Sequence, residues 1–158
     1  MAAAVYLFEM FSGYLRFLGL KSDLKFLYDW RFYLAIAAAQ FFYIALFMLT
    51  KSVLHLHGGI HFFLFQLYIA ASEELLFRGF LLGILKERIG SHFFGISTAN
   101  ILTALVFSVF HLFGHPLLWA AGTFFPALIF GYFREKYNLL PAVLLHFIYN
   151  SEYFMIFR

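Results

Sequence analysis

Three short patterns place reactive side chains in apolar surroundings. They are Glu73-Glu74-Leu75-Leu76-Phe77-Arg78, Phe107-Ser108-Val109-Phe110-His111 and His146-Phe147-Ile148-Tyr149-Asn150. Glu74 and Arg78 are four apart with the acid first, the favourable order for an ion pair along one helix face. Glu73 lies about 100° around a helix from Glu74 and is the carboxylate left over, free to meet another helix. His146 and Asn150, four apart, share a face. If these groups meet, Glu and His can polarise a water, and His with Asn can donate to a developing oxyanion. Each pattern also has a plainer reading. The Glu/Arg group alone can be a structural ion-pair cluster, and a single His in an apolar helix is more often an interhelical hydrogen bond.

The elements that must position these groups are membrane helices. Of 158 residues, 64% are hydrophobic and 12% charged, with 25 Phe. An ordinary soluble domain carries about 25% charge. The chain has too few polar residues to cover a soluble surface, which excludes a soluble enzyme, a disordered segment and a nucleic-acid module. The net charge of +3 is scattered between apolar runs rather than gathered in a patch. Cysteine is absent, so thiol chemistry and disulfides are excluded. A span needs about 20 apolar residues. Five stretches qualify, at about 32–50, 60–85, 94–114, 116–133 and 139–157. Residues 1–20 place Glu9, Ser12, Gly13 and Arg16 at helical spacing. They read as an amphipathic interfacial helix, with a sixth span as the alternative. The expected fold is all-α, a polytopic helical bundle forming a single membrane domain over 1–158.

Orientation follows from the basic residues. With the N-terminus inside, the inner segments hold Arg16, Lys21, Lys25, Arg31, Lys86, Arg88, Arg134 and Lys136; the outer ones hold Lys51 and Arg158. Glu73, Glu74 and Arg78 then sit near mid-membrane, where each such group costs about 2.5–3.5 kcal/mol. A span tolerates that when the groups are paired, face the interior and serve a function.

The three patterns, in this order and on separate spans, resemble the motifs of the CAAX prenyl endopeptidase and bacteriocin-processing (CPBP) membrane proteins. The stretch Gly131–Ala142 also resembles that family's link between its last two core helices, and the likeness covers a core of about 60–157. It implies a glutamic-type intramembrane endopeptidase acting on a membrane-anchored protein or peptide, of CAAX or C-terminal sorting-tail type. By the same resemblance Glu73 would be the general base and His111 would help hold the water. His146 and Asn150 would form the oxyanion site, with Glu74, Arg78 and Phe107 in support. No cofactor is expected. The alternative is a zinc form held by Glu73, His111 and His146, an acceptable ligand set for zinc. A non-catalytic immunity or chaperone-like protein on the same scaffold is the other alternative. A proton-relay or transport protein is disfavoured because no inverted repeat is visible. The implied location is an integral membrane protein of a bacterial inner membrane, N-terminus cytoplasmic, with lipid and substrate as its partners and no nucleic acid.

Other candidates carry less. His57 and His61 are four apart but straddle Gly58-Gly59, which spoils a helical metal pair. His55, His92 and His115 read as solvated connections, and Trp30, Trp119 and Tyr137 as interface anchors. No His-Glu-x-x-His is present, which argues against a zincin site. Asp23 and Asp29, the only Asp residues, lie outside the spans, which excludes an in-membrane aspartyl pair.

Overall fold

The structure, a computed structural model, describes residues 2–20, 23–51 and 59–157. Lys21, His55, His57 and Arg158, given roles above, lie outside them. Helix α1 (Ala2–Leu18) ends at Gly19, whose φ of 72° suits a residue without Cβ. A single 3₁₀ turn (Lys25–Tyr28) leads to α2 (Trp30–Thr50), capped by the Asp29 carboxylate on the Arg31 amide. A 30-residue helical run follows: α3 (Gly59–Glu74), a π-helical stretch (Leu75–Leu81) and α4 (Leu82–Arg88). A two-residue antiparallel hairpin, β1 (His92–Phe93) with β2 (Ile96–Ser97), turns the chain into α5 (Thr98–His111). Short α6 (Leu117–Gly122) and α7 (Phe124–Lys136) return, and α8 (Leu139–Phe157) closes the bundle.

Among the described residues, four helical segments are long and apolar enough to cross a membrane. The stretch expected as a third span, 94–114, is different. Phe94 and Gly95 form the hairpin turn with φ of 50° and 79°, and Ser97 caps α5 by accepting from the Asn100 amide. Helix α5 therefore has 14 residues and measures about 21 Å. A hydrocarbon core is about 30 Å thick. Apolarity alone could not reveal that Phe94 belongs to a hairpin turn. The fourth stretch does reach span length, as α6 and α7 joined at Thr123.

Large apolar side chains face outward around the bundle, Leu49 and Leu118 being more than three-quarters exposed. Lipid would cover these. Contacts between helices instead use small residues: Ala70, Ala99, Ala104, Ala127 and Ala142 are fully buried. Small side chains let helix backbones approach closely where no hydrophobic force separates protein from lipid. Two aromatic clusters fill the remaining space. Phe26, Phe32, Phe130, Phe133 and Leu145 form one, and Phe77 with Phe107 the other.

One end of the bundle is tied by polar bonds. Arg134 donates to the Phe17 carbonyl, Asn138 to the Asp23 carbonyl, and the Leu139 amide to the Gly19 carbonyl. Lys136 and Tyr137 both donate to Asp29, at 2.7 and 2.8 Å. Glu135 of α7 also meets Lys86 of α4 and accepts from Ser97 at the start of α5, so the ends of α1, α4 and α7 meet the starts of α2, α5 and α8.

Candidate active site

Glu74 and Arg78 pair as their spacing predicts, with Arg78 Nη1 donating to Glu74 Oε1 at 2.8 Å and both side chains fully buried. The π-helical stretch begins directly after Glu74 and contains Arg78. Such a widened turn re-aims side chains within a helix, and Arg78 here reaches out of its own helix. Its Nη2 donates to the Ala127 carbonyl of α7, and its guanidinium lies 4.4 Å from the Phe107 ring centre. The cation thereby meets a carboxylate, a carbonyl and an aromatic face.

The same Glu74 oxygen meets His146 Nδ1 at 2.8 Å. This contact was not legible from spacing, because it joins α3 to α8 across 72 positions. It fixes the ring so that Nε2 points toward Glu73, whose Oε2 lies 3.6 Å away. Phe130, which no motif marks, stacks on the His146 ring at 5.1 Å. Glu73 differs from its neighbour in one decisive respect. Its side chain is 35% exposed while that of Glu74 is sealed, yet Glu73 Oε2 is buried with no hydrogen-bond partner.

His111, the last residue of α5, has Nδ1 2.9 Å from the Phe107 carbonyl. As a donor there, it leaves Nε2 free to accept. Phe107 thus touches three members of the group, Arg78, His111 and His146. Glu73, His111, His146 and Asn150 all line one cavity of about 150 Å³. The sequence could not place these helices together; the structure does. Among the described residues, no three His, Asp or Glu side chains are placed to hold one metal ion.

Two residues read as peripheral belong to this cavity. His115 is half-buried rather than solvated; it stacks on His111 at 5.9 Å. Trp119 is half-buried and also lines the cavity, packed on Tyr153 at 4.6 Å. Both follow from the shortness of α5, which brings the loop after His111 inward. A further polar contact also went unread: the Gln40 amide of α2 bonds to Glu152 of α8. An acid two positions past Asn150 in an apolar helix was the available signal.

Residues 55–151 match the family model described as Rce1-like, type II CAAX prenyl endopeptidase. No curated protein and no solved structure matches the chain. The match spans well over half of the sequence and contains all three motifs. This membrane protein therefore belongs to the Rce1-like family of type II CAAX prenyl endopeptidases.

Proposed function

We propose that the chain is an intramembrane endopeptidase hydrolysing a peptide bond in or beside a membrane-anchored segment, with water activated by Glu73. One observation carries this reading. A part-exposed carboxylate shares a cavity with two imidazoles and an amide, beside a second carboxylate that is fully buried and has one oxygen shared by Arg78 and His146.

In this reading a water sits between Glu73 and His111 Nε2. Glu73 takes its proton as the oxygen attacks the scissile carbonyl. Asn150 and His146 Nε2 donate to the oxyanion, and Glu73 returns the proton to the departing amine. The Glu74 contact bears on the state of His146. With Nδ1–H given to Glu74, donation from Nε2 requires the imidazolium. The reaction needs no metal in this form. Zinc dependence is a separate question, answered by assaying the purified protein with and without chelator.

The test is a substrate trap. Glu73→Gln keeps the shape of the side chain and removes the base. Purified from cells, it should retain an uncleaved membrane-anchored partner that the unaltered protein releases as two fragments. Recovery of the partner already cleaved, at the unaltered rate, would sink the proposed mechanism.

A further inference from the structure

Helix α2 lies outside the matched residues 55–151, yet it supplies part of the cavity wall. Its positions 35, 39 and 43 recur every four residues and form one stripe. Ala35 and Ala39 are buried, and Ala35 packs with Ala142 and Leu145 of α8. Side chains this small let two helix backbones approach closely. The next position on the stripe is Tyr43, and its side chain lines the cavity together with Glu73, His111, His146 and Asn150.

Two polar bonds set α2 against α8 beside that stripe. Tyr149 donates to the Ala35 carbonyl at 2.8 Å. Further along both helices, the Gln40 amide donates to the Glu152 carboxylate. Among the described residues Gln40 is the one hydrogen-bond partner of Glu152, whose other oxygen is buried without any. A carboxylate and an amide among apolar side chains are costly unless hydrogen-bonded, so the pair ties the two helices in register.

The tyrosines of the cavity differ in what they already do. The Tyr149 hydroxyl is committed to Ala35. Tyr153 is held by its ring against Trp119 and Phe157. The Tyr43 hydroxyl makes no hydrogen bond among the described residues. A tyrosine hydroxyl taken out of water usually finds a partner. In the reading above Glu73 and His111 hold the water, and His146 and Asn150 serve the oxyanion. The Tyr43 hydroxyl is a donor left for the rest of the substrate. A peptide entering this cavity loses water from its backbone, and a carbonyl left there without a donor is costly. Helix carbonyls are already bonded four residues on, so only an unwound segment offers a free one.

From these observations we infer that Tyr43 binds and positions the substrate. Its hydroxyl donates to a backbone carbonyl beside the scissile bond, and the Gln40–Glu152 pair holds α2 in the register that places it. Tyr43 thereby favours a substrate whose chain is extended at the cleavage point over one that is helical there. This deepens the endopeptidase reading and rests on it.

The test uses the full chain in lipid vesicles and a farnesylated CAAX peptide, of the class for which the family is named, with a fluorophore and a quencher on either side of the scissile bond. Tyr43→Phe keeps the ring and removes the hydroxyl. It should raise KM about five- to tenfold, the worth of one hydrogen bond, with kcat and the unfolding midpoint in detergent unchanged. Gln40→Leu with Glu152→Leu removes both ends of the tie and should raise KM in the same sense. Added to Tyr43→Phe it should change KM little further, because it acts through the same hydroxyl. Binding of the peptide to Glu73→Gln, read by fluorescence anisotropy, should weaken by the same factor when Tyr43→Phe is added. Unchanged KM and affinity in Tyr43→Phe, a loss confined to kcat, or losses that add in full overturn the inference. The mechanism is read separately. Cleavage by Glu73→Gln at the unaltered rate refutes water activation by Glu73, whereas a raised KM in Tyr43→Phe upholds the inference in either case.

Discussion

At the scale of residues, the neighbours Glu73 and Glu74 are separated in role by their surroundings. Glu74 is fully buried, with one oxygen shared between Arg78 and His146, while Glu73 keeps an open approach. Removing Arg78 would leave Glu74 buried without its cation. Arg78→Ala is therefore expected to destabilise the fold by about 3–5 kcal/mol, read from unfolding in detergent. Asn150 touches neither carboxylate through a hydrogen bond and lines the cavity one turn beyond His146. If it donates to the oxyanion, Asn150→Ala should lower kcat by about 10²–10³, leave KM near its starting value and leave unfolding unchanged. A loss confined to KM would place Asn150 in substrate binding instead. The Glu74–Arg78 pair was legible in the sequence, because i to i+4 spacing is a local property of a helix. The Glu74–His146 bond and the Phe130 stack were not, since both depend on how α3, α7 and α8 pack.

At the scale of elements, close helix contacts and one polar clip can be tested separately. Gly131 of α7 faces Asn100 of α5 so closely that a Cβ would overlap the Asn100 side chain, itself held to the Leu128 carbonyl. Gly131→Ala is expected to cost about 1–3 kcal/mol through overpacking. The double variant with Asn100→Ala should recover part of that loss; no recovery would put the strain elsewhere. Asp29 clips the start of α2 to the end of α7. Hydrogen bonds from Lys136, the Arg31 amide and Tyr137 hold its carboxyl down to about 2, from an ordinary 3.8. The folded state is thus the weaker proton binder. The contribution of Asp29 is complete above about pH 4 and fades as pH falls toward 2. Thermal midpoints across that window should drop further in the unaltered protein than in Asp29→Asn; parallel curves would contradict the clip. The sequence reading recognised Asp29 only as lying outside the spans, because its partners are 107 and 108 positions away.

At the scale of the whole molecule, the scarcity of charge made both the membrane class and the three motifs readable. Apolar length located the spans at α2, the α3–α4 run and α8 to within a few residues. It was least exact at α5, where apolar aromatics belong to a hairpin and the helix has only 14 residues. That difference matters to function, since the loop after the short helix places His115 in the cavity beside Glu73, His111, His146 and Asn150. The central claim is that this cavity hydrolyses peptide bonds through Glu73. The most direct measurement reconstitutes the unaltered chain and Glu73→Gln in lipid vesicles with the partner captured by Glu73→Gln, and follows the appearance of its two fragments. The unaltered protein should cleave it, and Glu73→Gln, equally folded, should be slower by at least about 10²-fold, the usual share of a general base. Equal rates from the two proteins would contradict the account.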